Sequence, residues 1–348
     1  MAKNFSRSYL PYINSFRAFA IIFIVCIHTM YLFNWEQSQE LEKLFEIAIG
    51  SGTVMFLMIA GYLFQHLSDQ YNTKKYLLTK LKHVIVPYLI VSIPAIIFFV
   101  FIQHKELHKV SVGFYDLPKW EQIIRFYLNG DHLSPMWFIP VISLFYLSAP
   151  ILMKADKTKL FYCLLPVFFY ISTQFSRGLI YNSFLHMFSA YVFGMFCSRY
   201  KTVINPIITS YWGVIGLILI YFGFVITEYQ YYSYSIHYLS LFQKLTLSLI
   251  IISFFIQHER ISDFKLIKLL AHTSFGIYFL HAYVLFAFKI AIPHLNDGLI
   301  TANLFLLLFF SAVVIGLSML LVLSIERIFK KTSLLIVGSR SFVNLQKN

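Results

Sequence analysis

The sequence predicts an all-α integral membrane protein of about ten transmembrane helices with both termini in the cytoplasm. Three observations carry that expectation. Of 348 residues, 59% are hydrophobic and 12% charged, against roughly 45–50% and about 25% in a soluble domain, and the mean hydropathy is +0.71. Apolar stretches of membrane-spanning length recur along the chain, and the basic residues gather on alternate connections between them. A soluble fold of this size needs more polar surface than this composition supplies, so lipid is the expected solvent.

A helix crossing the hydrocarbon needs about 20 mostly apolar residues. Such stretches run roughly over 15–34, 48–67, 84–103, 135–153, 160–175, 183–199, 207–227, 238–257, 269–291 and 302–325, the fifth and sixth being the shortest. The polar start, Met1 to Ser15, is unlike a cleaved leader, and no small-residue cleavage site follows, so the first stretch is expected to stay as a span. An even number of spans puts both termini on one side. That side carries 19 Lys and Arg, from Lys3 and Arg7 through Lys74, Lys75, Lys80 and Lys82 to Arg340 and Lys347; the other side carries 6. Positive loops stay cytoplasmic. The net charge of +13 is thereby read as topology and contact with anionic lipid, and a nucleic-acid partner is not expected.

Between the third and fourth stretches, Leu117, Trp120, Ile123, Ile124, Tyr127 and Leu128 recur at helical spacing and predict an interfacial helix over the outer mouth. Glu228 to Tyr238 carries five tyrosines, readable as an aromatic belt or as a sugar-stacking platform. No repeat, low-complexity tract or soluble-domain-sized segment interrupts the chain, so residues 1–348 are expected to form one integral domain. Cys26, Cys163 and Cys197 lie singly in apolar runs without metal-ligand spacing, and neither a disulfide nor a metal site is expected.

Arg17 and His28 stand out because an ionisable residue inside a span is costly and by default marks a site. Eleven residues make three turns plus about 20°, which puts both side chains on one helical face about 16 Å apart. The bland readings are an arginine snorkelling to the surface and a histidine bonded to a nearby carbonyl. The chemical reading is an arginine that binds a phosphate or carboxylate and a histidine that removes a proton from a hydroxyl. Cys26 points about 200° away from His28 and is not expected to carry an acyl group. Gly52 to Tyr62 offers small residues for close helix packing. Lys74, Lys75, Lys80 and Lys82 form a basic loop ahead of Pro87, a topology signal or a phosphate site. His132 lies on a polar rim before Trp137, and Tyr278 and His281, three apart, share a helical face.

Taken in order, Arg17-x10-His28, Phe56 with Gly61-Tyr62, the basic segment ending at Pro87, Trp137-Phe138-Ile139, and Ser274 to His281 resemble the membrane acyltransferase 3 family of bacterial ten-helix proteins, over about residues 8 to 328. The resemblance implies acyl-coenzyme A, usually acetyl-coenzyme A, as a donor substrate from the cytoplasm, with no permanently bound cofactor. It implies a hydroxyl acceptor, often on a surface or exported glycan, and synthesis or export machinery as a possible partner. Carried over, Arg17 contacts the donor, His28 acts as general base, Lys80 and Lys82 hold coenzyme A phosphates, and His132, Trp137, Tyr278 and His281 become candidate substrate contacts. Many members carry Trp-Ser-Leu-x-x-Glu before Phe-Tyr in the fourth span. Here Phe138 follows Trp137, and Ile142 and Ser143 stand where acids would be, ahead of Phe145-Tyr146. That departure resembles the WecH-like and polysaccharide O-acyltransferase subgroup and leaves acetyl and succinyl both open. No Asp or Glu is expected deep in a span, so a carboxylate orienting His28 would come from a loop such as Asp131 or from the substrate. The C-terminal extracytoplasmic domain of some relatives is not expected.

Two other classes compete: a transporter or flippase for a glycan or lipid-linked sugar, with Arg17, His28 and Lys244 lining a path, and a structural membrane subunit whose histidines only pack. Paired interrupted helices would favour the transporter.

Overall fold

A backbone inside hydrocarbon must hydrogen-bond to itself, so the apolar runs become helices. The computed structural model describes residues 9–104, 113–234, 237–295 and 300–339; Lys3, Arg7, Lys105, Lys109, Arg340 and Lys347 of the charge count lie outside them. The helices are α1 (Pro11–Thr29), α2 (Gln39–Ile49), α3 (Gly52–His66), α4 (Thr73–Lys80), α5 (Val86–Ile97), α6 (Lys119–Asn129), α7 (Phe138–Asp156) and α8 (Lys159–Cys163). They continue as α9 (Leu165–Gln174), α10 (Ile180–Arg199), α11 (Lys201–Thr209), α12 (Tyr211–Gln230), α13 (His237–Gln257), α14 (Lys265–Leu295), α15 (Leu304–Phe329) and α16 (Ser333–Val337).

Among the described residues, eight helical stretches are long and apolar enough to cross a membrane. The fifth and sixth stretches expected from sequence are helical but fall short of that measure. The fifth is split into α8 and α9 just ahead of Pro166, whose ring and missing N–H disfavour the helix interior. The sixth, α10, has the length but carries Ser183, His186, Ser189 and Ser198, all buried. It is an inner helix, whereas α12 buries no residue along its length and presents an apolar outer surface suited to lipid.

The inner packing depends on two glycines. A Cβ on Gly61 of α3 would lie 2.0 Å from the Tyr191 carbonyl oxygen of α10, and one on Gly194 would lie 2.1 Å from the Met58 carbonyl oxygen. The backbones therefore touch as only small residues permit. Helix α1 lies at the centre, packed against α3, α13, α14 and α15.

Two layers of polar ties mark the ends of the bundle. At the end that holds α16 and the start of α1, the Ser15 hydroxyl donates to the Ser262 hydroxyl at 2.8 Å, and Ser253 donates to the Ile208 carbonyl at 2.8 Å. At the opposite end Phe33–Asn34 pairs in parallel with Ile300–Thr301. There Lys244 is fully buried and donates to the Ile47 and Ala48 carbonyls at 2.8 and 2.9 Å, with Gln243 as a third acceptor. These carbonyls end α2, where a cation is favoured. Lys244 is thus a helix cap and lies in neither of the cavities described below.

Two expectations are corrected. The basic segment before Pro87 is helix, with Asn72 capping α4 by accepting from the Lys75 N–H at 3.0 Å. The helix widens to a π-turn over Leu81–Ile85 and continues as α5. Pro87 has no N–H to give to the His83 carbonyl, and the α16 end packs there: a Cβ on Gly338 would lie 2.6 Å from that oxygen. The fourth span starts at Phe138, because the chain folds back on itself over residues 130–137. Gly130, at φ 73°, makes the turn; a Cβ there would lie 2.5 Å from the Trp137 nitrogen. The helix expected between the third and fourth stretches is α6, with Trp120, Ile124 and Leu128 exposed along it.

Gly61→Ala and Gly194→Ala are each expected to cost about 1–3 kcal/mol through forced overpacking. Gly216→Ala, which meets nothing within 4 Å, should be neutral. Thermal unfolding of the detergent-solubilised proteins reads the difference.

Candidate active site

Two cavities enter the bundle from its two ends. The one at the terminal end has a volume of about 490 Å³. Its lining is basic at Arg17, Lys75, Lys80 and His83, and apolar and aromatic at Phe56, Ile59, Phe138 and Phe275. No Asp or Glu lines it among the described residues. Lys80 lines it directly ahead of the π-turn, a local widening of the kind found at functional positions. Its ammonium lies 5.3 Å from the Tyr76 ring centre and 5.0 Å from that of Tyr146, a cation–π seat that leaves its charge unneutralised. The Arg17 guanidinium donates to the Ser274 hydroxyl at 3.3 Å. Two cations that no carboxylate balances are suited to an anion.

The cavity at the opposite end has a volume of about 390 Å³ and contains His28 with Trp137, Tyr31, Glu46, Arg177 and Glu228. Three rings stand between the two cavities. Tyr278 lines the first and His28 the second, while fully buried His281 lies 6.3 Å from the Tyr278 ring and 5.4 Å from the His28 ring. The Tyr278 hydroxyl donates to the Pro135 carbonyl, which ties this wall to the folded-back segment before Phe138. His281 Nδ1 lies 2.9 Å from the Ile277 carbonyl. A carbonyl only accepts, so Nδ1 carries the proton and Nε2 presents a lone pair, with no hydrogen-bond partner among the described residues.

The residues singled out from sequence therefore separate into groups. Arg17, Lys80 and Tyr278 share the first cavity; His28 and Trp137 share the second; His281 sits in the wall. Lys82 lies outside the first cavity, in an adjoining groove with Lys74 and Leu78 that shares Lys75, Thr79 and His83 with it. His132 lines neither cavity. It is fully buried, 3.1 Å from the Phe126 carbonyl and 2.7 Å from the Ser92 hydroxyl, and it pins the folded-back segment to α5 and α6. Buried Cys26 packs beside Ser311 of α15, away from both cavities.

Sequence reasoning passed over Glu46, Ser51, Arg177 and Glu228, which lie at span ends and read as ordinary boundary residues. Two carboxylates, Glu46 and Glu228, line the His28 cavity; both lie just outside the spans expected from sequence, at the kind of position for which Asp131 is the example. Ser51 carries the one local sign of strain there: it holds a left-handed backbone, φ 57°, disfavoured for a residue with a side chain. Its hydroxyl accepts from Arg177 at 2.8 Å and meets Ser240 at 3.1 Å.

Residues 10–323 match a family model described as an acyltransferase domain. No curated protein and no solved structure matches the chain.

Because His132 serves the fold and Lys80 crowds a second cation, their loss should act oppositely on stability. His132→Ala is expected to cost about 1–3 kcal/mol by orphaning its partners, while Lys80→Met should leave the unfolding temperature unchanged or raise it. A drop for Lys80→Met as large as that for His132→Ala would contradict the assignment of Lys80 to an anion site.

Proposed function

Because the chain belongs to the membrane acyltransferase 3 family, and is therefore an acyl-transferring membrane enzyme, we propose that it moves an acyl group, acetyl first among candidates, from acyl-coenzyme A to a hydroxyl of an exported or cell-surface glycan. The observation that carries this reading is the wall of Tyr278, His281 and His28 between an acid-free basic cavity and a second, polar one. A donor with anionic phosphates and a long neutral arm matches the first cavity, with Arg17 and Lys80 at its phosphates and the arm along the apolar depth. Lys82, in the neighbouring groove, meets whatever phosphate projects from the mouth.

In this reading the thioester end of the donor passes beside Tyr278 and His281, whose rings part to admit it, and its carbonyl meets the edge of the His28 cavity. The acceptor hydroxyl arrives in the other cavity, where His28 removes its proton as the oxygen attacks the carbonyl carbon. The C–S bond then breaks, coenzyme A leaves as a thiolate that takes up a proton, and the ester stays with the acceptor. No covalent enzyme intermediate is required, in keeping with the placement of Cys26. The wall excludes water from the thioester until an acceptor is in place. Trp137 flanks the acceptor, and His281 lies beside the point at which the two reactants meet. The excess of Lys and Arg on the terminal side supports cytoplasmic termini, which puts the donor cavity toward the cytoplasm of a bacterial cell and the His28 cavity toward the exterior. A transporter path through Arg17, His28 and Lys244 is less well supported, since Lys244 caps α2.

The test is transfer of labelled acetyl from acetyl-coenzyme A into alkali-labile ester on glycan, with wild type and two variants at matched expression. His28→Ala should lower turnover by about 10²–10⁴-fold, the usual worth of a general base. Arg17→Ala should raise the KM for the donor. Equal incorporation by all three proteins would remove both residues from the chemistry.

A further inference from the structure

The cavity that holds His28 differs in charge from the donor cavity. It is lined by one guanidinium, Arg177, and two carboxylates, Glu46 and Glu228. Arg177 donates to the Ser51 hydroxyl and has no carboxylate within ion-pair distance among the described residues, so most of its N–H groups remain available to a guest. One oxygen of Glu46 accepts from the Tyr232 hydroxyl, and that bond leaves its other oxygen unused. The nearby cation Lys244 is engaged with the carbonyls that end α2 and does not line the space.

Two atoms point independently to a guest. Glu228 Oε2 and Thr53 Oγ1 are both shielded from solvent and lack a hydrogen-bond partner among the described residues, although both residues line this cavity. Buried polar atoms are nearly always paired, and an exception calls for a reason. A ligand that donates to the carboxylate and exchanges a hydrogen bond with the hydroxyl supplies one.

We propose that this cavity selects an electrically neutral, polyhydroxylated sugar unit as acceptor and discriminates against sugars that carry a carboxylate or phosphate. A sugar hydroxyl both donates and accepts, so neighbouring hydroxyls bridge Arg177 on one side and Glu228 or Glu46 on the other. Tyr31 and Trp137 supply the apolar faces that a pyranose ring covers. An added carboxylate on the sugar would pair with Arg177 at the expense of facing both glutamates, and like charges brought together away from bulk water disfavour the wrong partner. The proposal rests on the acyltransferase reading with a glycan acceptor and deepens it.

The test uses the purified full chain in nanodiscs with labelled acetyl-coenzyme A, a neutral gluco-oligosaccharide, and the same oligomer oxidised at C6 to uronates. Transfer and binding are both read, the latter by quenching of tryptophan fluorescence. Wild type should bind the neutral oligomer at least tenfold more tightly and acylate it correspondingly better. The double variant Glu46→Gln/Glu228→Gln should close the binding gap to within threefold by improving the uronate, a gain that a damaged fold would not give. Equal or better use of the uronate by wild type, an unchanged gap in the double variant, or no binding of either oligomer would overturn the proposal. Saturable binding of the neutral oligomer with no acyl transferred would instead overturn the acyltransferase reading toward glycans and leave the selectivity of the cavity standing.

Discussion

Everything at the centre of this protein depends on the pitch of one buried helix. Three turns of α1 separate Arg17 from His28, a rise of about 16 Å at 1.5 Å per residue, and that rise carries the face they share from one cavity to the other. The surrounding helices must then leave space at each end of that face and close it in the middle. They close it with Tyr278 and His281 from α14 and with Phe138 at the start of α7, whose ring centre lies 6.2 Å from that of Tyr278. A helix so hemmed in cannot rotate without driving apolar neighbours apart, so Arg17 and His28 keep their places in the two cavities.

The two cavities then differ in how charge is handled. Arg17 and Lys80 face each other's field with no carboxylate to neutralise it, an arrangement that a purely structural site would avoid, because uncompensated buried charge is destabilising. Aromatic rings and a serine hydroxyl soften the repulsion without cancelling it. At the other end Glu46, Arg177 and Glu228 come near balance, and Lys244 caps α2 behind them. One cavity is thus preset for an anion and the other for a guest that exchanges hydrogen bonds. Carboxylates outside the cavities serve as ties between elements: Glu326 accepts from His272 at 2.9 Å and from Ser339 at 2.6 Å, and Asp156 accepts from Tyr162.

The sequence determined by itself that the chain lives in a membrane, roughly where its helices run, and that Arg17 and His28 share a face, because composition and helical period are local properties. It also carried the ordered motifs by which the acyltransferase family is recognised. Tertiary structure decided the rest. Lys80 and Lys82, two residues apart, face different spaces, since neighbouring positions on a helix diverge by about 100° per step and a π-turn intervenes. His132 resembled a substrate contact but proved to be a clamp, because its partners Phe126 and Ser92 lie on elements brought together only by folding. Glu46, Arg177 and Glu228 come from three separate span ends and carry no mutual spacing in the chain. They form one site only because the bundle gathers those ends around His28, and no periodicity along a sequence records which helix ends meet.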